Sequence, residues 1–302
     1  MTAAPDNALH PGLVTVSHGN TSLVETPEGR LVPCHHRRNR PRPVCGDRVQ
    51  WRRAGAEGGV VESIGARRSL IERPDFRGRP RPLAANVTTM VIVAAPEPGV
   101  DNELIDRYLV LARHLDIEPV LWLNKADLLP HPDLSEADPV LAAYRMLGMP
   151  AVAGSVKTGQ SMDWLQRRLR GETSILVGHS GVGKSSLLNA LIPDLEVRIS
   201  ALSEASGHGR HTTTATTLFH LPHGGDVIDS PGIRNFRLDH LDRRALLAGF
   251  PDLAPFLSAC RFADCRHGAE PGCAVKAALE RGEIREARLE SYQRLLGEVR
   301  NG

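Results

Sequence analysis

One segment of the chain has the residue types and spacing of a phosphate-binding loop. Residues 178–185 read Gly-His-Ser-Gly-Val-Gly-Lys-Ser, which is the pattern G-x-x-x-x-G-K-S. In such a loop, backbone N–H groups surround the phosphates of a nucleotide, and the helix that follows adds its positive end. The lysine neutralises the β- and γ-phosphates and the serine hydroxyl binds Mg²⁺. The sequence therefore predicts a catalytic charge at Lys184 and a magnesium ligand at Ser185.

A second acidic position fits the same magnesium ion. Asp229 ends the strand-like run 226–228 and begins the sequence Asp-Ser-Pro-Gly, which finishes at Gly232. An aspartate at the end of a strand can hold Mg²⁺ as a Walker-B acid does. Gly232 would let a backbone N–H approach the γ-phosphate. This D-x-x-G pattern carries weight because it follows a phosphate loop in the chain.

A third segment has the chemistry of guanine recognition. Residues 124–127 read Asn-Lys-Ala-Asp directly after the apolar run 119–123. The Asp127 carboxylate can accept hydrogen bonds from guanine N1–H and the 2-amino group, whereas adenine would leave it unpaired. Ser155 and Val156 resemble a second base loop, although alanine usually stands where Val156 does. Among 33 arginines and four lysines, three lysines (Lys125, Lys157 and Lys184) lie in these nucleotide loops.

The base-reading loop precedes the phosphate loop, which is the reverse of their order in an ordinary GTPase. This order predicts a circularly permuted GTPase, and an ATP-using kinase or ATPase on the same loop is disfavoured by Asp127. The predicted GTP contacts are Asn124, Lys125, Asp127, Ser155, Val156, Gly178, His179, Ser180, Gly181, Val182, Gly183, Lys184, Ser185, Ser186 and Gly232.

A polar, glycine-rich stretch, 206–214, lies between the phosphate loop and Asp229 and is typical of a switch loop. One of its three consecutive threonines is expected to bind Mg²⁺, and we favour Thr213. Ile233 follows the D-x-x-G turn, where Ras-type enzymes carry a glutamine that orients water, and an isoleucine cannot do so. We therefore expect His211 to position the attacking water; the alternative is a histidine that only packs the switch.

Four metal-ligand residues cluster near the carboxyl terminus. Cys260, Cys265, His267 and Cys273 follow the pattern C-x4-C-x-H-x5-C. Three thiolates and one imidazole complete a closed tetrahedral shell, which predicts one structural Zn²⁺ and no catalytic metal there. The remaining cysteines, Cys34 and Cys45, are expected to be packed or free thiols.

The elements that must position these residues form a multidomain chain of three regions. Residues 1–82 carry short strand candidates with glycine punctuation, which predict an OB-fold β barrel that binds RNA. Residues 83–240 alternate apolar strands and helical runs, which predict a central α/β P-loop GTPase domain with circular permutation. Residues 241–302 are predicted as a mostly helical zinc-binding domain, and the proline- and arginine-rich stretch 73–82 as a linker.

The charge distribution suggests a polyanionic partner. Residues 30–81 hold fourteen arginines and five acidic residues, a balance of +9, in a chain whose net charge is +2. Such asymmetry favours nucleic-acid binding by the N-terminal region, the alternative being a solvated basic face. The absence of an 18-residue apolar stretch or a signal sequence predicts a cytoplasmic protein without a membrane partner.

Together, these motifs resemble the RsgA family, also called YjeQ or YloQ, of circularly permuted GTPases that depend on the small ribosomal subunit. The resemblance depends on these segments, in chain order: CGDRV at 45–49, LAANV at 83–87, NKAD, GHSGVGKSSLLN, GRHTTT, DSPG and CRFADCRHGAEPGCAV. The resemblance covers roughly residues 10 to 295.

The resemblance implies a monomer that binds the 30S subunit and its 16S rRNA late in assembly. It implies that the protein hydrolyses GTP to GDP faster there, with Mg²⁺ bound to the nucleotide, and then leaves. His211 matches the switch histidine proposed as catalytic in that family. A nucleotide-gated rRNA-binding module with incidental turnover stays open, because Ile233 cannot orient water.

Overall fold

The computed structural model describes residues 8–37, 39–55, 58–74, 79–130, 138–205, 215–230, 236, 238–262, 265–268 and 270–299. In these residues the strands are β1 His10–His18, β2 Thr21–Glu25, β3 Leu31–His36, β4 Arg48–Ala54, β5 Gly58–Ile64, β6 Leu70–Pro74, β7 Pro80–Ala85, β8 Thr89–Ala94, β9 Glu118–Leu123, β10 Ala151–Ala153, β11 Thr173–Val177, β12 Thr216–His220 and β13 Asp226–Asp229. The helices are α1 Asn102–His114, α2 Pro139–Met146, α3 Met162–Leu169, α4 Lys184–Leu191, α5 Leu195–Ala205, α6 Arg243–Ala248, α7 Ala254–Leu257, α8 Ala274–Glu280 and α9 Glu286–Leu296.

The chain divides into two compact units, each built from separate segments. The first unit comprises Met1–Thr89, Met162–Leu176 and Lys184–Asn235. The second comprises Met90–Ser161, Val177–Gly183 and Phe236–Gly302. The domain ranges 1–82, 83–240 and 241–302 stay a prediction.

The N-terminal strands of the first unit close into a five-stranded barrel, as the sequence predicted. Neighbouring strands follow the order β1-β2-β3-β5-β4, and β4 pairs back onto β1. All of these pairings are antiparallel except β3 with β5, which is parallel. Apolar residues alternate inward to form the barrel core of Val14, Val24, Val32, Cys34, Val49, Trp51 and Val61.

The predicted linker at 73–82 was wrong where the structure describes it. Strands β6 and β7 form an antiparallel hairpin there, with Arg73 opposite Arg81 and Leu70 opposite Ala85. Proline is tolerated in such a two-stranded ribbon because a strand edge needs fewer backbone donors. The proline and arginine content suggested a linker, because amino-acid composition does not show which segments pair as strands.

Three further strands of the first unit, β11, β12 and β13, attach to the barrel. Strand β11 runs parallel to β13, and β13 is antiparallel to β12. Strand β12 then pairs with β1 of the barrel, with Val16 opposite Thr217. One hydrogen-bonded sheet therefore connects the barrel to the strand that ends at Asp229.

The second unit places a parallel sheet beside helices. Strands β10 and β9 are parallel, and β9 neighbours β8. Strand β8 is buried along its whole length, as expected for an apolar strand covered on both faces. Helix α1 begins at the N-cap Asp101, whose carboxylate accepts from the Leu104 N–H at 3.0 Å.

The C-terminal helices of this unit share one core with α1. Buried side chains of α6, α8 and α9 form it together with Val110 of α1. A Cβ at Gly249 would lie 2.2 Å from Val110 Cγ2, so glycine is required where the loop after α6 meets α1. Among the described helices, none is long and apolar enough to cross a membrane.

Candidate functional site: the nucleotide loops and the Cys/His cluster

Asp127 lies in the 3₁₀ turn Ala126–Leu128, which follows β9, and its carboxylate is held in place by two neighbouring side chains. The Ser155 hydroxyl donates to Asp127 Oδ1 at 2.6 Å, and Lys157 Nζ lies 3.6 Å from Oδ2. The Ser155 hydrogen bond holds the pKa of Asp127 below its usual value. The side chain is therefore ionised, with acceptor capacity left for two donors of a base. Half-buried Val156 follows Ser155 in this loop.

The Asn124 side chain braces the phosphate loop. It is 3% exposed, and its Nδ2 donates to the Val182 carbonyl oxygen at 2.8 Å. Its Oδ1 accepts from Trp122 Nε1 at 3.2 Å. A Cβ at Gly183 would lie 2.4 Å from Asn124 Nδ2, so the glycine permits this approach. The sequence placed Asn124 among the GTP contacts, and its bonds show that it joins the two loops.

Lys125 adopts the left-handed backbone region, with a φ of 57°. Its Nζ donates to the Glu97 carbonyl oxygen at 2.9 Å. Anchoring both ends of this long side chain fixes the stem, which can then serve as a flat apolar support for a base.

The phosphate loop, 178–183, has the backbone that its glycines predict. Gly178, Gly181 and Gly183 have φ values of 139°, 84° and 95°. A Cβ at Gly178 would lie 2.1 Å from the Val93 carbonyl oxygen at the core of this unit. His179 Nδ1 lies 2.7 Å from the Ser180 carbonyl oxygen, and Val182 is buried. A substituted residue at these glycines would clash or be strained, so the loop keeps its backbone N–H groups accessible.

Lys184 opens α4, with Ser185 and Ser186 exposed in its first turn. Asp229 ends β13 in the same unit. Burial raises the pKa of Asp229, and the charge of Lys184 opposes that shift. A half-buried carboxylate that interacts with a lysine is a suitable ligand for a hard cation, which would favour its ionised form. Next to it, Thr216 Oγ1 and Ser230 Oγ lie 3.1 Å apart.

Three predicted positions, His211, Thr213 and Gly232, lie outside the described residues.

The four predicted metal ligands converge. One donor atom from each of Cys260, Cys265, His267 and Cys273 lies within 4.8 Å of the others, so the group could hold a metal ion. Cys260 Sγ is 3.5 Å from His267 Nδ1 and 4.0 Å from Cys273 Sγ. Burial raises the pKa of the Cys260 thiol, but the N–H groups of Ala274 and Val275 and the neighbouring thiols lower it overall. The start of α8 thus favours a thiolate.

Helix α9 contacts both this cluster and helix α1. Gln293 Nε2 donates to the His267 carbonyl oxygen at 2.8 Å, and the Tyr292 ring lies 6.0 Å from the His267 ring. One turn earlier, Arg288 is buried and forms an ion pair with Asp106 of α1. Its Nη2 also lies 2.8 Å from Asp252 Oδ1.

The sequence analysis missed this buried network. Desolvation raises the pKa of Asp106 to about 6, although Arg288 and the Tyr144 hydroxyl stabilise the carboxylate. The sequence held one signal for this pair: α1 carries an acidic residue, Asp106, on its apolar face, and α9 carries a basic residue, Arg288, on its own apolar face. That pattern is weak without knowing that α1 and α9 pack together.

Comparison with known proteins gives consistent matches across the chain. A sequence model described as RsgA GTPase matches residues 64–239. A protein of Azotobacter vinelandii named small ribosomal subunit biogenesis GTPase RsgA is 48% identical over 292 residues, covering 95% of this chain and 85% of the relative. A Pseudomonas aeruginosa protein of the same name is 48% identical over 289 residues, with the same coverage of both chains.

Two solved structures have a similar fold. The crystal structure of YjeQ from Thermotoga maritima matches with a TM-score of 0.75 and 33% identity, covering 96% of this chain and 98% of that one. The structure of YloQ, described as a circularly permuted GTPase, matches with a TM-score of 0.70 and 28% identity, covering 97% and 95%. These matches confirm the predicted permuted GTPase fold.

Proposed function

The chain belongs to the RsgA GTPase family, and from that premise we propose that it binds the 30S ribosomal subunit and acts late in its maturation. The chain is a GTP-hydrolysing enzyme. The subunit raises its rate of hydrolysis, and the GDP form leaves. The observation that carries this proposal is the 48% identity, over 95% of the chain, to a relative named for small-subunit biogenesis. The 16S rRNA is the contacted component, and the protein acts as a cytoplasmic monomer.

Guanine selection in this proposal belongs to Asp127. Its carboxylate accepts from N1–H and the 2-amino group, and the bond from Ser155 at 2.6 Å fixes its orientation. The Lys125 stem supports the base, and backbone groups at Ser155 and Val156 complete its edge. Asn124 contributes through the phosphate loop, since its amide donates to the Val182 carbonyl oxygen.

Phosphate and magnesium chemistry belongs to the start of α4 and the end of β13. Backbone N–H groups of 178–183 bind the phosphates, with Lys184 as the compact charge beside them. Ser185, Asp229 and Thr213 hold Mg²⁺, whose charge offsets the charge that develops on the phosphates. Gly232 contacts the γ-phosphate.

His211 orients the attacking water, because Ile233 cannot. Replacing His211 with alanine should lower 30S-stimulated turnover and leave GTP affinity unchanged. Full stimulated turnover in that variant would remove the histidine from the mechanism.

The metal of the Cys/His cluster is one structural Zn²⁺. A tetrahedral zinc with bonds of about 2.3 Å to sulfur separates two sulfur ligands by roughly 3.8 Å. The sulfur-to-sulfur distance of 4.0 Å between Cys260 and Cys273 fits that edge. The Cys273-to-His267 Nδ1 distance is 3.6 Å, which fits the shorter zinc-to-nitrogen bond. Four protein ligands leave no open position for a substrate.

Sedimentation with purified 30S subunits tests the proposal. The full chain should sediment with 30S subunits when a non-hydrolysable GTP analogue is bound, and much less with GDP. The 50S subunit is the control and should not carry the protein down. Absence of sedimentation with 30S in either nucleotide state would overturn the assignment of the partner. Equal sedimentation in both states would overturn the release step.

A further inference from the structure

Two sequence motifs that the GTP site does not use meet in the first unit. The Ala85 N–H donates to the Cys45 carbonyl oxygen at 2.9 Å, and Asn86 Nδ2 donates to the Gly46 carbonyl oxygen at 2.9 Å. Gly46 has a φ of 90°, and a Cβ there would lie 2.2 Å from the Ala85 carbonyl oxygen. Only glycine permits this approach. We call the joined segments 45–49 and 83–87 the motif clasp.

Two consecutive arginines, Arg67 and Arg68, bond to the motif clasp in different ways: the first through its side chain and the second through its backbone. Arg67 is bound through Nε and Nη2 to the carboxylate of Asp47 at 2.8 and 2.7 Å, and Asp47 is fully buried. Arg68 gives only its backbone N–H to the clasp, which Asn86 Oδ1 accepts at 2.9 Å. Within the described part of the chain, the guanidinium groups of Arg68 and Arg48 have no hydrogen-bond or ion-pair partner. Both residues are exposed; Arg48 begins β4, and Arg68 lies in the bend before β6.

Arg48 and Arg68 line the same groove in this unit, with a volume of about 910 Å³. The two carboxylates in its lining, Glu25 and Asp226, both bond to His220, each at 2.6 Å. The bond to Asp226, and then that to Glu25, raise the pKa of His220 to about 9, so the imidazole is charged at pH 7. One imidazolium offsets one of the two carboxylate charges, and with the guanidinium groups of Arg48 and Arg68 the charged side chains of the lining sum to +1.

The lining also indicates which ligand fits. Among the described residues it contains no Phe, Tyr or Trp side chain on which a base could stack. It offers the exposed hydroxyl group of Ser63, which can bond a ribose 2′-OH. Guanidinium groups bind phosphate oxygens with matched, paired donors. The guanidinium and hydroxyl groups of the lining therefore suit a sugar–phosphate chain.

We propose that this groove binds the phosphodiester backbone of an RNA strand, with Arg48 and Arg68 as phosphate ligands. The motif clasp positions both arginines, and binding there is tolerant of base sequence. The proposal rests on the proposed ribosomal function only for the source of the strand, which would be rRNA.

The test compares Arg48→Gln/Arg68→Gln with Arg53→Gln in the full chain. Arg53 is an exposed barrel arginine that lines a different cavity. The probes are fluorescein-labelled uridine and adenosine dodecamers, titrated at several salt concentrations. The double variant should bind at least about tenfold more weakly than the unmodified chain. Its log–log salt slope should fall by about 1.4, which corresponds to two lost phosphate contacts.

The control should bind within about twofold of the unmodified chain, and the two dodecamers within about threefold of each other. Thermal unfolding checks that each variant is folded, because neither arginine of the pair has a side-chain partner to lose. Unchanged affinity in the double variant, an equal loss in Arg53→Gln, or a strong base preference would overturn the proposal.

Sedimentation with 30S subunits separates this proposal from the proposed function. If the unmodified chain binds 30S subunits and the double variant binds them equally well, the groove is wrong and the ribosomal function stands. If the unmodified chain fails to bind 30S subunits while the double variant loses dodecamer affinity, the ribosomal function is wrong and the groove stands.

Discussion

At the scale of single residues, two side chains of the base-reading loop have different roles: Asp127 is available to a base, and Asn124 holds the loop against the phosphate loop. Asp127 keeps its carboxylate available, with one oxygen oriented by Ser155. Asn124 is buried and has its amide and carbonyl groups bonded to Val182 and Trp122. A substitution at Asp127 should therefore change which base is chosen, and one at Asn124 should loosen both loops.

Replacing Asp127 with asparagine should shift base preference from guanine to xanthine. The amide can donate to the 2-oxo group of xanthine, whereas it faces the 2-amino group of guanine with one acceptor fewer. Affinity for labelled GDP should fall by at least about 100-fold and affinity for labelled XDP should rise. Fluorescence titration measures both, with Asp163→Asn, an exposed aspartate in α3, as the control. Unchanged GDP affinity would contradict guanine reading by Asp127.

His220 should give the first unit a pH-dependent stability. Its pKa is raised to about 9 by Asp226 and Glu25, above the value of about 6.5 expected for an unfolded chain. Its contribution is therefore complete below about pH 6.5 and is lost as pH rises through about 9. The side chain is 52% exposed, so screening reduces the change to about 1 kcal/mol.

Urea unfolding at pH 6.5 and pH 9.5 measures this effect, with His220→Gln as the reference. The unmodified chain should lose more stability than the variant between the two pH values. Parallel losses in both proteins would show that the two carboxylates do not stabilise the imidazolium.

At the scale of elements, the pairing of α1 with α9 depends on a buried charge. Arg288 bonds Asp106 and Asp252, and its guanidinium lies 4.2 Å from the centre of the Phe250 ring. Replacing Arg288 with methionine leaves Asp106 buried without its cation, which costs about 3–5 kcal/mol of unfolding free energy.

The matched control is Arg294→Met in the same helix. Arg294 is 65% exposed and lies 3.3 Å from Glu103, also on α1. Loss of such a surface pair costs less than about 1 kcal/mol. Chemical denaturation compares the two variants, and equal losses would mean that burial does not determine the strength of the α1–α9 contact.

The Cys/His cluster should make the C-terminal helices metal-dependent. Elemental analysis of the purified chain should find one zinc per molecule. Cys273→Ser should lose the metal and lower the thermal midpoint, because ligand binding contributes directly to folding in such a site. Cys34→Ser, which alters a buried thiol of the barrel core, should keep the metal. Full zinc content in Cys273→Ser would exclude the predicted ligand set.

At the scale of the whole molecule, contiguous patterns were predictable and distant pairings were not. The phosphate loop, the base loop and the C-terminal cluster were recognisable because each depends on residues close in sequence. The barrel strands were recognisable from alternation and glycine positions. Arg288 and Asp106, however, are 182 residues apart, and no local pattern pairs them. The β6–β7 hairpin was missed because proline and arginine content suggested a linker.

Strand pairing joins the barrel to the sheet that carries Asp229. Strand β12 pairs with β1 of the barrel on one side and with β13 on the other. Asp229, at the end of β13, is thus separated from the barrel by a single strand, β12. If Asp229 binds Mg²⁺ as proposed, this pairing gives it a hydrogen-bonded connection to the barrel, which we propose as an RNA-binding region.

We propose that this permuted GTPase acts on the small ribosomal subunit, and GTP turnover with and without purified 30S subunits measures that action directly. We expect 30S subunits to raise turnover by at least about tenfold. The 50S subunit should give no increase, and ATP should not be hydrolysed in either condition. Turnover unaffected by 30S subunits, or raised equally by 50S subunits, would show that the small subunit is not the activator of this enzyme.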